Sequence, residues 1–191
     1  MTHPRARPLG LAAATAAVVF LAVPHPATAS APSTRAAAPC IKGETETRHK
    51  SAVDEGEIRW TDETGYDDSR KWAISSWSYS GHKIKVAADG ATTVNDLAFR
   101  DVDGGTGDAV AQYVWDDRIG ATDIIRFNRK KMTGRSRDFQ RAVGAHELGH
   151  ALGLCHKSDA IASLMWTKVR DDPPITGPQP VDKDNYKKLW G

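Results

Sequence analysis

The feature that most constrains this chain is the run His146 to His156, which reads HELGHALGLCH. On a helix, His146 and His150 are four residues apart and therefore lie one turn above the other on the same face. Two imidazoles at that spacing can reach one metal ion. Surface histidines on an ordinary amphipathic helix are the alternative interpretation, and the residues that follow favour the metal site.

The residues after the second histidine offer a third ligand. Gly153 accepts a positive φ, which ends a helix and turns the chain back. That turn lets His156 approach the ion that His146 and His150 would share. Three neutral imidazoles leave one position of a tetrahedral zinc open to water, which is typical of a catalytic zinc site. We therefore predict one catalytic Zn²⁺ bound by these three histidines.

Glu147 follows the first ligand directly and points about 100° away from it around the helix. It therefore leans over the metal from the side and does not ligate it. Its carboxylate can take a proton from a zinc-activated water and later deliver it to a leaving amine. The pattern predicts hydrolysis of an amide bond, with Glu147 as general base and acid.

The run matches H-E-x-x-H-x-x-G-x-x-H and so resembles the zinc signature of the metzincin metallopeptidases. Downstream, Ser163-Leu164-Met165 is similar to the Ser-x-Met of their Met-turn, in which the methionine lies beneath the metal. Residues 181–191 resemble the closing helix of matrixin catalytic domains, with Trp190 where those domains have a tyrosine. The resemblance implies an α+β, zincin-like fold, with a twisted mixed sheet backed by two helices, a zinc helix, a Met-turn and a C-terminal helix.

Local patterns predict the other elements. Apolar segments bounded by turn residues predict strands at residues 58–60, 84–86, 97–102, 109–115 and 124–127. Helices are predicted to begin after three capping side chains, those of Asp68, Ser136 and Asp182. The resemblance implies that the edge strand of the sheet lies within 109–115 and binds peptide by strand addition. It also implies that the proline-rich segment 171–180 walls the pocket beyond the cleaved bond.

The N-terminus has the pattern of a secretory leader. A basic start is followed by an apolar stretch from Leu9 to Val23, shorter than the roughly 20 residues that span a bilayer, and then by Ala27-Thr28-Ala29. We predict a signal peptide at 1–29, a flexible mature N-terminus at 30–45 and a matrixin-like domain at 46–191. An uncleaved membrane anchor is the alternative.

The charge balance argues against polyanionic partners. Without residues 1–29 the count of Lys and Arg falls from 26 to 24, against 24 Asp and Glu, so the net charge of the mature chain is close to zero. A net charge near zero gives no polycationic case for nucleic acid or acidic membranes as partners. We expect a secreted, extracellular monomer that acts on protein or peptide substrates.

Cys40 and Cys155 have three possible states. In an exported chain two cysteines most simply form one disulfide. Cys40 as an inhibitory thiolate on the zinc, as in the matrixin cysteine switch, is a second possibility, although the Pro-Arg-Cys-Gly pattern of that switch is missing. Two free thiols are the third.

Further metal sites are weaker predictions. The acidic, glycine-rich loop from Asp101 to Asp108 offers carboxylates as a Ca²⁺ site does, although such loops are usually solvated turns. Matrixins usually hold a second, structural zinc with several histidines. Outside the zinc motif the mature chain has His49 and His82 alone, so we do not carry that site over.

These observations predict a secreted zinc-dependent endopeptidase. Two alternatives share the same metal site: a secreted zinc-stabilised binding protein without catalytic turnover, and a zinc hydrolase of non-peptide amides. The intact Glu147 argues against the binding protein, because metal ligation alone does not require that carboxylate.

Overall fold

The structure, a computed structural model, describes residues 37–172 and 174–191. The predicted signal peptide and residues 30–36 lie outside the described residues. None of the described helices combines the length and the apolar character needed to cross a bilayer. The elements in chain order are β1 (Glu57–Glu63), α1 (Asp67–Trp77), β2 (Lys85–Ala88), β3 (Leu97–Val102), β4 (Ala111–Val114), β5 (Asp123–Asn128), α2 (Arg129–Met132), α3 (Arg137–Ala151) and α4 (Pro180–Trp190).

The strands form one mixed sheet in the order β2-β1-β3-β5-β4. All the pairings are parallel except that of β4, which runs antiparallel to β5. Each strand falls at a predicted position, and β3 has the predicted bounds. The α+β fold with a mixed sheet and packed helices is therefore confirmed. Strand β4 lies at the edge of the sheet, as predicted, and its outer side is available for pairing with a further strand.

Helices α1 and α3 pack closely because Gly144 of α3 has no side chain where it meets α1. A Cβ atom at Gly144 would overlap Ser69 Oγ. Two hydrogen bonds cross this contact: Ser69 Oγ donates to Gln140 O at 2.6 Å, and Trp77 Nε1 donates to Ala145 O at 2.9 Å. The position of α3, which carries the predicted zinc ligands, is thereby fixed from one side.

The predicted cap at Asp68 is wrong. Helix α1 begins at Asp67 and has no side-chain cap, so Asp68 lies inside its first turn. The Asp68 carboxylate accepts from Arg137 Nε at 2.9 Å and from Arg141 Nε at 2.7 Å, both on α3. These two guanidinium groups hold the pKa of Asp68 well below its usual range. Two charged partners on a neighbouring helix replace the local backbone donors that the sequence pattern favours.

Asp182 is not the N-cap residue of the last helix, which is Gln179, but it caps the helix start as the N3 member of a capping box. Helix α4 begins at Pro180, and Asp182 lies inside its first turn, fully buried. Its carboxylate accepts from Gln179 N at 2.8 Å, from Ser163 Oγ at 2.5 Å and from Leu164 N at 2.8 Å. Asp182 therefore joins the start of α4 to the turn that the sequence identifies as a Met-turn.

The segment before the sheet is fixed to the domain. Ala38 N donates to Asn185 Oδ1 at 2.8 Å, and Ala38 O accepts from Asn185 Nδ2 at 2.7 Å and from the buried Lys157 Nζ at 3.0 Å. Ala38, which we expected to be part of a flexible arm at 30–45, is thus anchored on α4. The anchoring residues lie more than a hundred positions away, so local composition does not reveal them.

The predicted disulfide is present and joins Cys40 to Cys155. A thiolate switch at Cys40 and two free thiols, the other two interpretations, are therefore wrong. The bridge closes a loop with a sequence separation of 115 residues. On the chain-entropy account, closing a loop of that length stabilises the folded state by about 4 to 5 kcal/mol.

Candidate active site

The three predicted ligands meet beside the C-terminal part of α3, which carries His146 and His150, while His156 lies beyond its end. Ser136 caps this helix as predicted, since its Oγ accepts from Phe139 N at 3.2 Å. The Nε2 atom of His150 lies 3.1 Å from that of His146 and 3.1 Å from that of His156. A tetrahedral zinc with bonds of about 2.0–2.1 Å separates its nitrogen ligands by about 3.3 Å. The three ring nitrogens therefore have the spacing of a shared ion.

The other ring nitrogen of each helical histidine contacts a main-chain oxygen. His146 Nδ1 lies 2.9 Å from Leu164 O, and His150 Nδ1 lies 2.8 Å from Leu154 O. Because a carbonyl can only accept, Nδ1 carries the proton in both rings, and the lone pair is left on Nε2. Burial and the neighbouring imidazoles lower the pKa of His150 to about 4 and that of His146 well below its usual value. Both rings are thus neutral, which is the form that binds a metal.

A tight turn brings the third histidine to the other two. Gly153 has a φ of 86°, and a Cβ at this position would overlap Thr47 O, so glycine is required for both reasons. Beyond the turn, His156 Nδ1 lies 2.9 Å from Glu44 Oε1, and His156 N donates to Glu44 Oε2 at 2.8 Å. The third ring is therefore oriented by a carboxylate from the N-terminal segment.

Glu147 is buried between α3 and the edge strand. It is 7% exposed, and its Oε2 accepts from Tyr113 N of β4 at 2.7 Å. Burial raises the pKa of the Glu147 carboxyl to about 7. A carboxyl with that pKa exchanges protons readily near neutral pH, which is what a general base and acid needs. Glu147 is thus placed on the same helix as two of the histidines and against the strand that is free to pair.

The predicted Met-turn lies against α3. Met165 is fully buried, and it approaches the helix at Gly149, where a Cβ would overlap Met165 Sδ. Met165 N donates to Ser163 Oγ at 2.9 Å, which fixes the turn. The intervening Leu164 supplies the carbonyl that orients His146. The turn therefore supports the helix and also aligns one ring of the histidine cluster.

A cleft of about 760 Å³ contains the histidines and Glu147 and follows β4. We expected segment 171–180 to wall it, and that is wrong for the described residues of the segment. Thr176 O accepts from Trp72 Nε1 at 2.6 Å, so this loop packs against α1. The wall comes from the residues just before the loop, which are Thr167, Lys168 and Val169.

The structure gives no support to the predicted calcium site. In the acidic loop, Asp103 Oδ1 accepts from Arg129 Nε at 2.8 Å, and Asp101 Oδ2 accepts from Gly65 N at 2.9 Å. These carboxylates are therefore engaged by the protein itself. Over residues 37–172 and 174–191, the clusters of three possible metal ligands are the histidine triad and a group that consists of Glu46 and the two disulfide sulfurs.

A mixed sheet, a helix that carries H-E-x-x-H, a glycine turn before a third histidine and a methionine turn define the catalytic domain of a metzincin-type zinc peptidase. Comparison with protein-family models gives a match to Matrixin over residues 49–191, and the chain belongs to this family. It is thus a zinc metallopeptidase, as the resemblance implied. A search of curated proteins found no match.

Glu44 is a part of the site that the sequence motifs do not indicate. It precedes the family match and belongs to no motif. One signal could have indicated it. The cysteine that precedes Glu44 by four residues is bridged to Cys155, which is the residue directly before His156. That bridge brings residues 40–44 close to the third histidine.

Proposed function

We propose that this chain is an exported zinc-dependent endopeptidase in which His146, His150 and His156 bind the metal and Glu147 is general base and acid. The observation that carries the proposal is the convergence of three Nε2 lone pairs in the cleft that also contains a single buried glutamate. When bound, zinc lowers the pKa of a coordinated water to about 7 and polarises a carbonyl.

Glu147 supplies the proton transfers. Its Oε2 is fixed by Tyr113 N at 2.7 Å, so the carboxylate is held at the side of the histidine cluster. With a pKa near 7 it can accept a proton from water and return it to the leaving amine. The same hydrogen bond couples the position of this group to the strand on which we place the substrate.

Strand β4 is suited to bind an extended peptide. Tyr113 N points to Glu147 and therefore away from β5. Because the direction of main-chain groups alternates along an antiparallel strand, the N–H and C=O of Ala111 and the C=O of Tyr113 also face the cleft. These groups can pair with a peptide by strand addition.

The extent of the cleft supports internal cleavage. Its lining includes Asp108 before β4 and Trp115 after it, so the cleft passes Glu147 in both directions. A chain lying along β4 can therefore extend beyond the reacting bond on either side. This favours an endopeptidase over an enzyme that removes terminal residues.

Export is supported by the leader pattern and by the Cys40–Cys155 disulfide, because disulfides persist in oxidising compartments outside the cytosol. Mass spectrometry of the chain recovered from the medium of expressing cells tests this part. We expect a mature chain that begins near Ser30. Retention of residues 1–29 on a cell-bound protein would indicate the membrane anchor instead.

The catalytic part is tested with zinc-loaded wild type and Glu147→Gln on a peptide library whose termini are blocked. We expect equal zinc content, internal cleavage by wild type and a kcat reduced about 10²- to 10⁴-fold in the variant. Glu63→Gln, at an exposed position on β1, is the control and should retain wild-type kcat.

Three outcomes would contradict the proposal. Comparable turnover by Glu147→Gln would refute the role of that residue. Zinc binding by wild type without any cleavage would favour a binding protein. Hydrolysis of non-peptide amides with no peptide cleaved would favour the other hydrolase.

A further inference from the structure

Glu44 contacts the third histidine with both of its oxygens. Oε1 lies 2.9 Å from His156 Nδ1, and Oε2 accepts from His156 N at 2.8 Å. The Glu44 carboxylate thereby fixes both the orientation of the His156 ring and the position of the His156 main chain. The corresponding partners of His146 and His150 are main-chain carbonyls, so His156 differs from the other two in having a charged side chain behind its ring.

Glu44 is itself held by a short loop around His156. The disulfide ties Cys40 to Cys155, directly before the histidine. Ile41 N then donates to His156 O at 3.0 Å, and Glu44 N donates back to Ile41 O at 3.2 Å. Residues 40–44 are therefore held against His156 by the disulfide to its neighbour Cys155 and by hydrogen bonds to the main chain and the ring of His156.

We propose that Glu44 is a positioning residue for the third zinc ligand, and that the Cys40–Cys155 disulfide raises zinc affinity by holding Glu44 in place. The inference rests on the proposed function in one respect, that the three histidines bind zinc. A carboxylate that accepts from Nδ1 fixes the tautomer, aligns the ring and makes Nε2 more basic. The working unit of this peptidase therefore begins at about Cys40 and not at residue 49, where the family match starts.

The first experiment measures the zinc dissociation constant by competition with a chromophoric chelator. We expect Glu44→Ala to bind zinc about 10- to 100-fold more weakly than wild type. Glu44→Gln should lose less zinc affinity than Glu44→Ala. Its amide oxygen can still accept one hydrogen bond from His156, whereas its NH₂ group faces the second donor and cannot accept. Glu63→Ala removes a carboxylate that pairs with Arg100 on the surface, and it should leave the constant unchanged.

A spectroscopic readout separates positioning from a general loss of stability. In the zinc-free protein, the ¹⁵N shifts of the His156 ring should show the proton on Nδ1. In Glu44→Ala they should move toward a mixture of tautomers, while the shifts of His146, whose partner is Leu164 O, should stay as in wild type. Unchanged His156 shifts in Glu44→Ala would contradict the proposal.

A double-mutant cycle tests the part played by the disulfide. Replacing both Cys40 and Cys155 by serine should weaken zinc binding, and adding Glu44→Ala to that pair should weaken it no further than Glu44→Ala alone. Fully additive losses would overturn the link between the bridge and Glu44. A zinc dissociation constant of Glu44→Ala within twofold of the wild-type value would overturn the positioning role of Glu44 and leave the proposed peptidase function intact. Failure of the wild type to bind zinc would overturn both.

Discussion

Loss of the Asp182 carboxylate should release the methionine turn from α4. Asp182 is fully buried and accepts hydrogen bonds from Ser163 Oγ, Leu164 N and Gln179 N at 2.5 to 2.8 Å. Asp182→Ala leaves these three donors without an acceptor. Because water cannot readily reach a buried site, each donor loses its partner without a replacement.

The magnitude follows from the number of bonds. At about 1 kcal/mol for each lost hydrogen bond, the free energy of unfolding should fall by about 3 kcal/mol. For a domain of this size each kcal/mol shifts Tm by about 2–4 °C, so Tm should fall by about 6–12 °C. The zinc site should also suffer, because Leu164, whose N–H is released, aligns His146 through its carbonyl.

The assay is thermal and urea denaturation of the protein with and without zinc. Asp184→Ala on the same helix is the control. Among the described residues its carboxylate makes no hydrogen bond, and the change should alter the free energy of unfolding by less than about 0.5 kcal/mol. We also expect zinc to raise the Tm of Asp182→Ala by less than it raises that of wild type. A loss of less than about 1 kcal/mol in Asp182→Ala would show that these three hydrogen bonds do not hold the methionine turn on α4.

The remaining predictions concern Asp68 and the metal. The pKa of Asp68 is lowered in the folded state by Arg137 and Arg141, so its carboxylate stabilises the fold above its unfolded pKa of about 4, and this contribution is lost as the pH falls further. At pH 7 the free energy of unfolding of Asp68→Asn should be lower than that of wild type by up to about 1 kcal/mol, as for other exposed ion pairs. In urea titrations below pH 4 this difference should shrink. A difference that stays constant down to pH 2 would contradict the prediction. A chelator should abolish peptide hydrolysis and added zinc should restore it, whereas activity that persists with no detectable metal would exclude the zinc mechanism.

The ligand cluster was predictable because its geometry is local. His146 and His150 share a helix face by their spacing alone, and the turn at Gly153 returns the chain within one short segment to bring His156 alongside. The strands were found for a similar reason. Strand β3 begins with an unbroken run of buried apolar residues from Leu97 to Phe99, and the structure has the bounds that the sequence pattern predicts.

Local propensity predicted only part of what the two acidic residues near helix starts do. Asp68 and Asp182 both stand near a helix start, where the backbone N–H groups attract a carboxylate. In the folded chain, arginines of α3 hold Asp68, and Asp182 accepts one local bond from Gln179 N and two bonds from the methionine turn. The arginines and the methionine turn are distant in sequence, so propensity alone does not reveal them.

Glu44 shows the limit of motif reasoning for the site. Its contact with His156 spans 112 positions and depends on a disulfide that the sequence left as one of three possibilities. The prediction that segment 171–180 forms the wall of the cleft failed for a different reason. The bond from Trp72 Nε1 to Thr176 O draws the proline-rich loop toward α1, and a pairing of that kind has no signature in local composition.

Zinc K-edge X-ray absorption on the zinc-loaded chain directly tests whether His146, His150 and His156 bind one zinc ion. We expect one zinc per chain, with three imidazole nitrogens at about 2.0–2.1 Å and one oxygen, and with one imidazole fewer in His156→Ala. A sulfur neighbour, fewer than three imidazoles in wild type, or a spectrum that does not change in His156→Ala would contradict it.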